Sequence, residues 1–211
     1  LLLQLILSEK EILYRQRPRS ILSILSKSFL DRKVLILSFL GFAIFFVHIG
    51  LFTYLSDTLS LPPYEYEEKD IAQYLSIAGV GGLLAGVVAG TLTDLIGRKQ
   101  IALMGFIMLL PILTIYITNY WINWLVILLF FQGFSVTTAF TAINTMIVEI
   151  NPFYRATVTS IYGSLRFLGY ALGPALLHSV YKFSLLSGVA LTCALLILVG
   201  MFMGLIVLIR E

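Results

Sequence analysis

Residues 90–99, Gly-Thr-Leu-Thr-Asp-Leu-Ile-Gly-Arg-Lys, join two long apolar runs through a short charged turn. Gly90 and Gly97 permit close packing and a sharp reversal, Asp94 suits the amino end of a helix, and Arg98 with Lys99 carry their charge into water. A turn of this composition between segments of this length connects two membrane spans.

The rest of the chain agrees. Of its 211 residues, 59% are hydrophobic and only 12% charged, and its mean hydropathy is +0.98, too apolar for the core of a soluble domain. Lipid must cover much of the surface. Crossing the hydrocarbon layer takes about 20 apolar residues, and six such stretches are predicted, over residues 34–58, 71–94, 100–119, 122–149, 155–180 and 184–209. The expected fold class is therefore an all-α membrane protein. The single cysteine, Cys193, lies in the last stretch, where it reads as a packing residue and allows no intrachain disulfide. The sequence carries no Cys and His ligand cluster, no phosphate loop, and no nucleophile and base pair within a pocket, so neither an enzyme nor a cofactor or metal site is expected.

The net charge of +3 points to membrane sidedness and away from nucleic acid. If the region before the first span is cytoplasmic, 11 of the 14 Lys and Arg residues fall on the inside, Lys69 and Lys182 fall outside, and Arg166 lies within a span. Such asymmetry sets orientation, whereas the acidic outer loop, with Asp57, Glu65, Glu67, Glu68 and Asp70, carries little topological weight. Both termini are expected to be cytoplasmic, in a multi-pass protein of the plasma membrane. Residues 1–7 read as the tail of a further helix, and 8–33 as either a plain linker or an amphipathic segment on the inner membrane surface, suggested by the Ile-Leu-Ser repeat at 21–26.

Gly90, Leu92, Asp94, Gly97, Arg98 and Lys99 resemble the loop signature of the major facilitator superfamily (MFS), Gly-x-Leu-x-Asp-x-x-Gly followed by two basic residues; Leu95 departs from the charged residue often found there. The resemblance covers nearly the whole chain. It implies that residues 1–33 are the end of a preceding helix and an inter-half linker. Residues 34–211 would then be the carboxyl-terminal six-helix bundle, a three-plus-three inverted repeat forming half of a 12-helix transporter. The partners it implies are a small-molecule solute, membrane lipids and the amino-terminal six-helix half of the same transporter.

Polarity is uneven among the six stretches. The third and sixth are the plainest and suit lipid, while the fourth holds Gln132, Thr141 and Asn144 and the fifth holds Tyr162 and Arg166, groups that prefer a protein interior or wet cavity. Arg166 lies about 12 residues into its span, roughly 18 Å deep. A guanidinium there suits bidentate binding of a carboxylate or phosphate, or pairing with an acid of the absent half, and the stripe Thr159, Tyr162, Arg166, Gly169 and Gly173 is the expected lumen face. A structural Arg bonded to helix carbonyls is the plainer alternative. His48, also mid-span, suits substrate binding or a proton shuttle, against the plainer reading of a neutral hydrogen-bonded residue.

Two glycine series, Gly82, Gly86 and Gly90, and Gly169 with Gly173, are expected to let neighbouring backbones approach. Gly169-x-x-x-Gly173-Pro174 partly resembles a motif of proton-coupled drug antiporters, although Leu176 and Leu177 stand where those continue with paired glycines. In the turn 149–155, Glu149 can approach Arg98 or Arg155, forming with Asp94, Gly97 and Lys99 a gate or charge relay, and Pro152 is placed to open the next helix. The function expected is a secondary transporter of a small polar or organic solute working by alternating access, with symport and antiport both open. The alternative is a non-transporting six-helix subunit or scaffold.

Overall fold

A computed structural model describes residues 21–118 and 120–209. The expected helix tail and most of the linker lie outside the described residues. The described chain is helical: α1 (Ile21–Leu30), α2 (Arg32–Ser60), α3 (Glu68–Ile96), α4 (Arg98–Ile117), a 3₁₀ turn (Trp121–Trp124), α5 (Leu125–Glu149) and α6 (Arg155–Ile209).

The boundaries follow from local chemistry. Asp31 caps α2, its carboxylate accepting from Lys33 N at 2.8 Å and Val34 N at 3.5 Å. Past Ser60, Pro62 and Pro63 cannot continue the helix. Between α3 and α4 a single residue, Gly97, makes the reversal at φ 112° and ψ 147°, a conformation open essentially only to glycine. Asn151 forms the turn before α6, its side-chain oxygen accepting from Phe153 N at 3.0 Å and Tyr154 N at 3.2 Å. Pro152 therefore sits in that turn and does not open the helix; α6 begins at Arg155.

Among the described residues, five helical stretches are long and apolar enough to cross a membrane: Arg32–Ser60, Glu68–Ile96, Arg98–Ile117, Trp121–Glu149 and Arg155–Leu205. The expected fifth and sixth spans thus form one run, interrupted at Leu185, where φ 51° and ψ −155° break the helix. No glycine or proline lies between Pro174 and Gly188 to mark this reversal. A bulky residue takes it instead.

The packing is layered. α2 lies against both arms of α6, α3 against α5, and α4 between α5 and the second arm of α6. The tightest crossing joins α3 to α5. A side chain at Gly133 would meet the Ala78 carbonyl, and one at Gly81 the Phe130 carbonyl. The covered face of α3 is Ala78, Gly81, Ala85 and Ala89, a small-residue stripe at helical spacing. The expected stripe is different, and two of its members do not serve close packing: Gly86 and Gly90 have nothing within 4 Å of an added Cβ. Gly169 and Gly173 do pack, against the backbone at Phe42 and Phe46 of α2.

Within the described residues α3 is less covered than α4. Of its most apolar window 22% is buried, against 44% for α4. Val80, Leu83, Leu84 and Val87 stand exposed along it.

Candidate functional site

Arg166 emerges among aromatic rings contributed by three helices. Its guanidinium carbon lies 5.3 Å from the ring centre of Phe45 on α2, 5.2 Å from Phe140 on α5, 4.9 Å from Phe167 and 5.9 Å from Tyr162 on α6. Tyr170 extends the group by stacking on Phe45 at 4.6 Å. Each ring face attracts the cation by about 0.5–2 kcal/mol, which offsets part of the cost of carrying charge to this depth. Hydrogen bonding does not: Arg166 Nε and the Tyr162 hydroxyl are buried with no partner among the described residues. No hydrogen bond from Arg166 to a helix carbonyl is present among them either.

The expected lumen stripe on α6 divides. Tyr162, Gly169 and Gly173 pack on α2, with the Tyr162 ring lying where a side chain at Gly41 would sit, so this side of the helix is chiefly a contact face. Arg166 lies at its edge, beside Phe167, which is 60% exposed.

His48 lies one turn along α2 from Phe45. It borders a cavity of about 690 Å³ shared with Phe52, Gly79, Gly82, Gly86 and Thr137. Its ring centre is 4.4 Å from that of Phe52, and its Nδ1 is buried without a hydrogen-bond partner among the described residues. On α5, Asn144 is exposed and Thr141 half-buried, one turn and one residue beyond Phe140. Gln132 points elsewhere. Fully buried, it accepts from the Tyr116 hydroxyl of α4 at 3.5 Å and so belongs to the contact between those helices. Sequence reasoning missed Phe45, Phe140, Phe167 and Tyr170, because an aromatic residue in a span reads as ordinary packing until its neighbours are known.

At the opposite level, the ends of α2, α3, α4 and α5 enclose a cavity of about 660 Å³ bordered by Lys33, Asp94, Gly97, Arg98, Lys99 and Glu149. Arg98 and Glu149 form an ion pair across it, both about two-fifths exposed. Gly90 lies higher on α3, and Arg155 is exposed at the start of α6, outside this cavity. The charged turn of residues 90–99 is thus tied to the end of α5. Compared with known families, residues 34–211 match the Major Facilitator Superfamily. The chain belongs to that superfamily. No curated protein matches it.

Major facilitator proteins are membrane transporters of small-molecule solutes and not enzymes, and this chain is accordingly a multi-pass membrane protein of a transporter family. The matched region fits the expected carboxyl-terminal half.

The facilitator turn yields two predictions. Gly97→Ala is expected to lower unfolding stability by about 1–3 kcal/mol, because the added Cβ strains the backbone and would lie 2.5 Å from Gln100 Oε1; thermal unfolding in detergent checks it. The Arg98–Glu149 pair, being solvated, contributes only about 0.2–1 kcal/mol to stability. Glu149→Arg alone is expected to slow uptake by about tenfold, and Arg98→Glu added to it to recover most of the rate. Uptake rates that do not recover in the double variant would show that the two charges act separately.

Proposed function

We propose that this chain is the carboxyl-terminal half of a secondary transporter that moves a small organic solute bearing a negative or dipolar group by alternating access. The observation carrying this reading is the Arg166 guanidinium, held mid-span among aromatic rings, with a buried Nε that has no hydrogen-bond partner among the described residues. A carboxylate or phosphate supplies what that group lacks, and a guanidinium binds either one bidentately. Arg166 and Tyr162 would hold the anionic group. His48, Thr141 and Asn144 would line the neighbouring wall, and Asp94, Gly97, Arg98, Lys99 and Glu149 would form the inner gate below Gly90, with Gln132 and Arg155 outside both.

The chain carries only one wall of such a path. In this reading the two arms of α6 on either side of Leu185 are separate spans, giving six in a three-plus-three repeat, and an amino-terminal six-helix half covers the exposed face of α3. The Lys- and Arg-rich end faces the cytoplasm of the plasma membrane. The bare face of α3 also favours a second reading, in which a like subunit covers it and no solute moves.

Uptake by vesicles containing the full-length protein, with and without a proton gradient, decides between the two. Accumulation of organic anions is expected, and its response to the gradient reports coupling, for which His48 is the nearest titratable candidate. Absence of uptake and exchange for anions and zwitterions alike would overturn the proposal.

A further inference from the structure

The glycines of α3 that no neighbour requires face the His48 cavity. Leu75, Gly79, Gly82 and Gly86 follow one another at helical spacing on one side of α3, and all four border that cavity. This side lies about a quarter turn round the helix from the stripe covered by α5. A Cβ at Gly79 or Gly86 would stand in open space, and one at Gly82 would first meet the Thr137 hydroxyl, at 2.9 Å. Glycine weakens a helix interior relative to alanine, so glycines that serve no contact keep room for something else.

The room they keep adjoins Arg166. His48 is one turn from Phe45 on α2, and Thr137 is one turn from Phe140 on α5, the two rings being those that hold the guanidinium at 5.3 and 5.2 Å. Three reversals separate α2 from α5, so the helices run antiparallel and both steps lead the same way from Arg166. The cavity, about 690 Å³, is walled by Phe52, Leu83, Val87 and Val136, and its size is that of a small-molecule site, about 300–1,000 Å³. Beside these apolar walls His48 Nδ1 is buried with no hydrogen-bond partner among the described residues.

We infer that Gly79 and Gly86 are specificity-determining residues, which admit the apolar body of the solute and limit its size, while His48 meets a hydroxyl or carbonyl on that body. An acyl chain would fill the same space but leave His48 without a partner, whereas an organic anion with a polar group on its body satisfies Arg166 and His48 from one continuous site. The inference rests on the proposed anion site for the place of the charged end.

Acetate, phenylacetate and 4-hydroxyphenylacetate test it, their affinities for the full-length protein read from thermal unfolding in detergent over a concentration series. Burial of the ring is expected to make phenylacetate about ten- to a hundredfold tighter than acetate. Gly86→Leu and, separately, Gly79→Leu are expected to remove most of that gain and leave acetate unchanged. The added hydroxyl is expected to tighten binding about two- to tenfold, and His48→Leu to erase that difference. Wild-type protein that binds all three acids alike or not at all would overturn the inference, as would leucine variants that keep the full gain from the ring, or a His48→Leu protein that keeps the preference for the hydroxyl. Loss of monodisperse protein in both leucine variants would overturn it as well, since protein would then occupy the space. The anion reading fails separately: 2-phenylethanol binding as tightly as phenylacetate, with Arg166→Ala changing neither, would remove the charge from the site and leave the glycines their role.

Discussion

Alanine at position 166 is expected to lower solute affinity by about ten- to hundredfold while leaving the folded protein nearly as stable as before. The two effects separate for a physical reason. A charge-assisted hydrogen-bond pair to a bound anion is worth about 1.5–3 kcal/mol, and that is lost with the guanidinium. In the folded protein alone the arginine is close to neutral: placing it mid-bilayer costs about 2.5–3.5 kcal/mol, and the rings of Phe45, Phe140, Phe167 and Tyr162 return a comparable amount. Arg166→Lys retains the charge but not the fork, so it should fall between wild type and alanine. The check is solute affinity paired with thermal unfolding of each variant. An Arg166→Ala protein that unfolds many degrees earlier yet binds solute normally would assign the residue to structure.

The largest stability loss is expected from Gly133→Val. The first atom added there meets the backbone of Ala78, a neighbour that cannot rotate aside as a side chain can. Overpacking a well-packed site costs about 1–3 kcal/mol when side chains yield, and here helix α3 must be pushed off α5. Loss of monodisperse protein in size-exclusion chromatography is the expected result. Gly86→Ala is the matched control, since an added Cβ meets nothing within 4 Å, and it should behave as wild type in the same measurement. Equal behaviour of both variants would mean that α3 does not sit on α5 through these residues.

The helical, membrane-spanning character and the family were legible in the sequence because both depend on local signals: apolar run length and the spacing from Gly90 to Lys99. The approach of Glu149 to Arg98 was also readable, since the ends of successive spans must share one membrane surface. What failed depended on rotation about a helix axis. Gly82, Gly86 and Gly90 and the set Ala78, Gly81, Ala85 and Ala89 are both plausible small-residue faces of α3, and only the position of α5 decides which is covered. The same uncertainty made Gln132 look like its polar neighbours Thr141 and Asn144, although it turns toward Tyr116. The aromatic surround of Arg166 was invisible for a related reason: its rings come from α2, α5 and α6, far apart in the chain. The reversal at Leu185 lacked the glycine or proline by which turns are recognised.

That one-residue reversal also governs where the protein tolerates foreign sequence. The arms of α6 meet with almost no slack, so an epitope tag or fluorescent insert placed there has no loop to absorb it and would pull two helices apart. The polar connection joining α2 to α3 is the better position on the same face, as its backbone already departs from helix between Leu61 and Glu67.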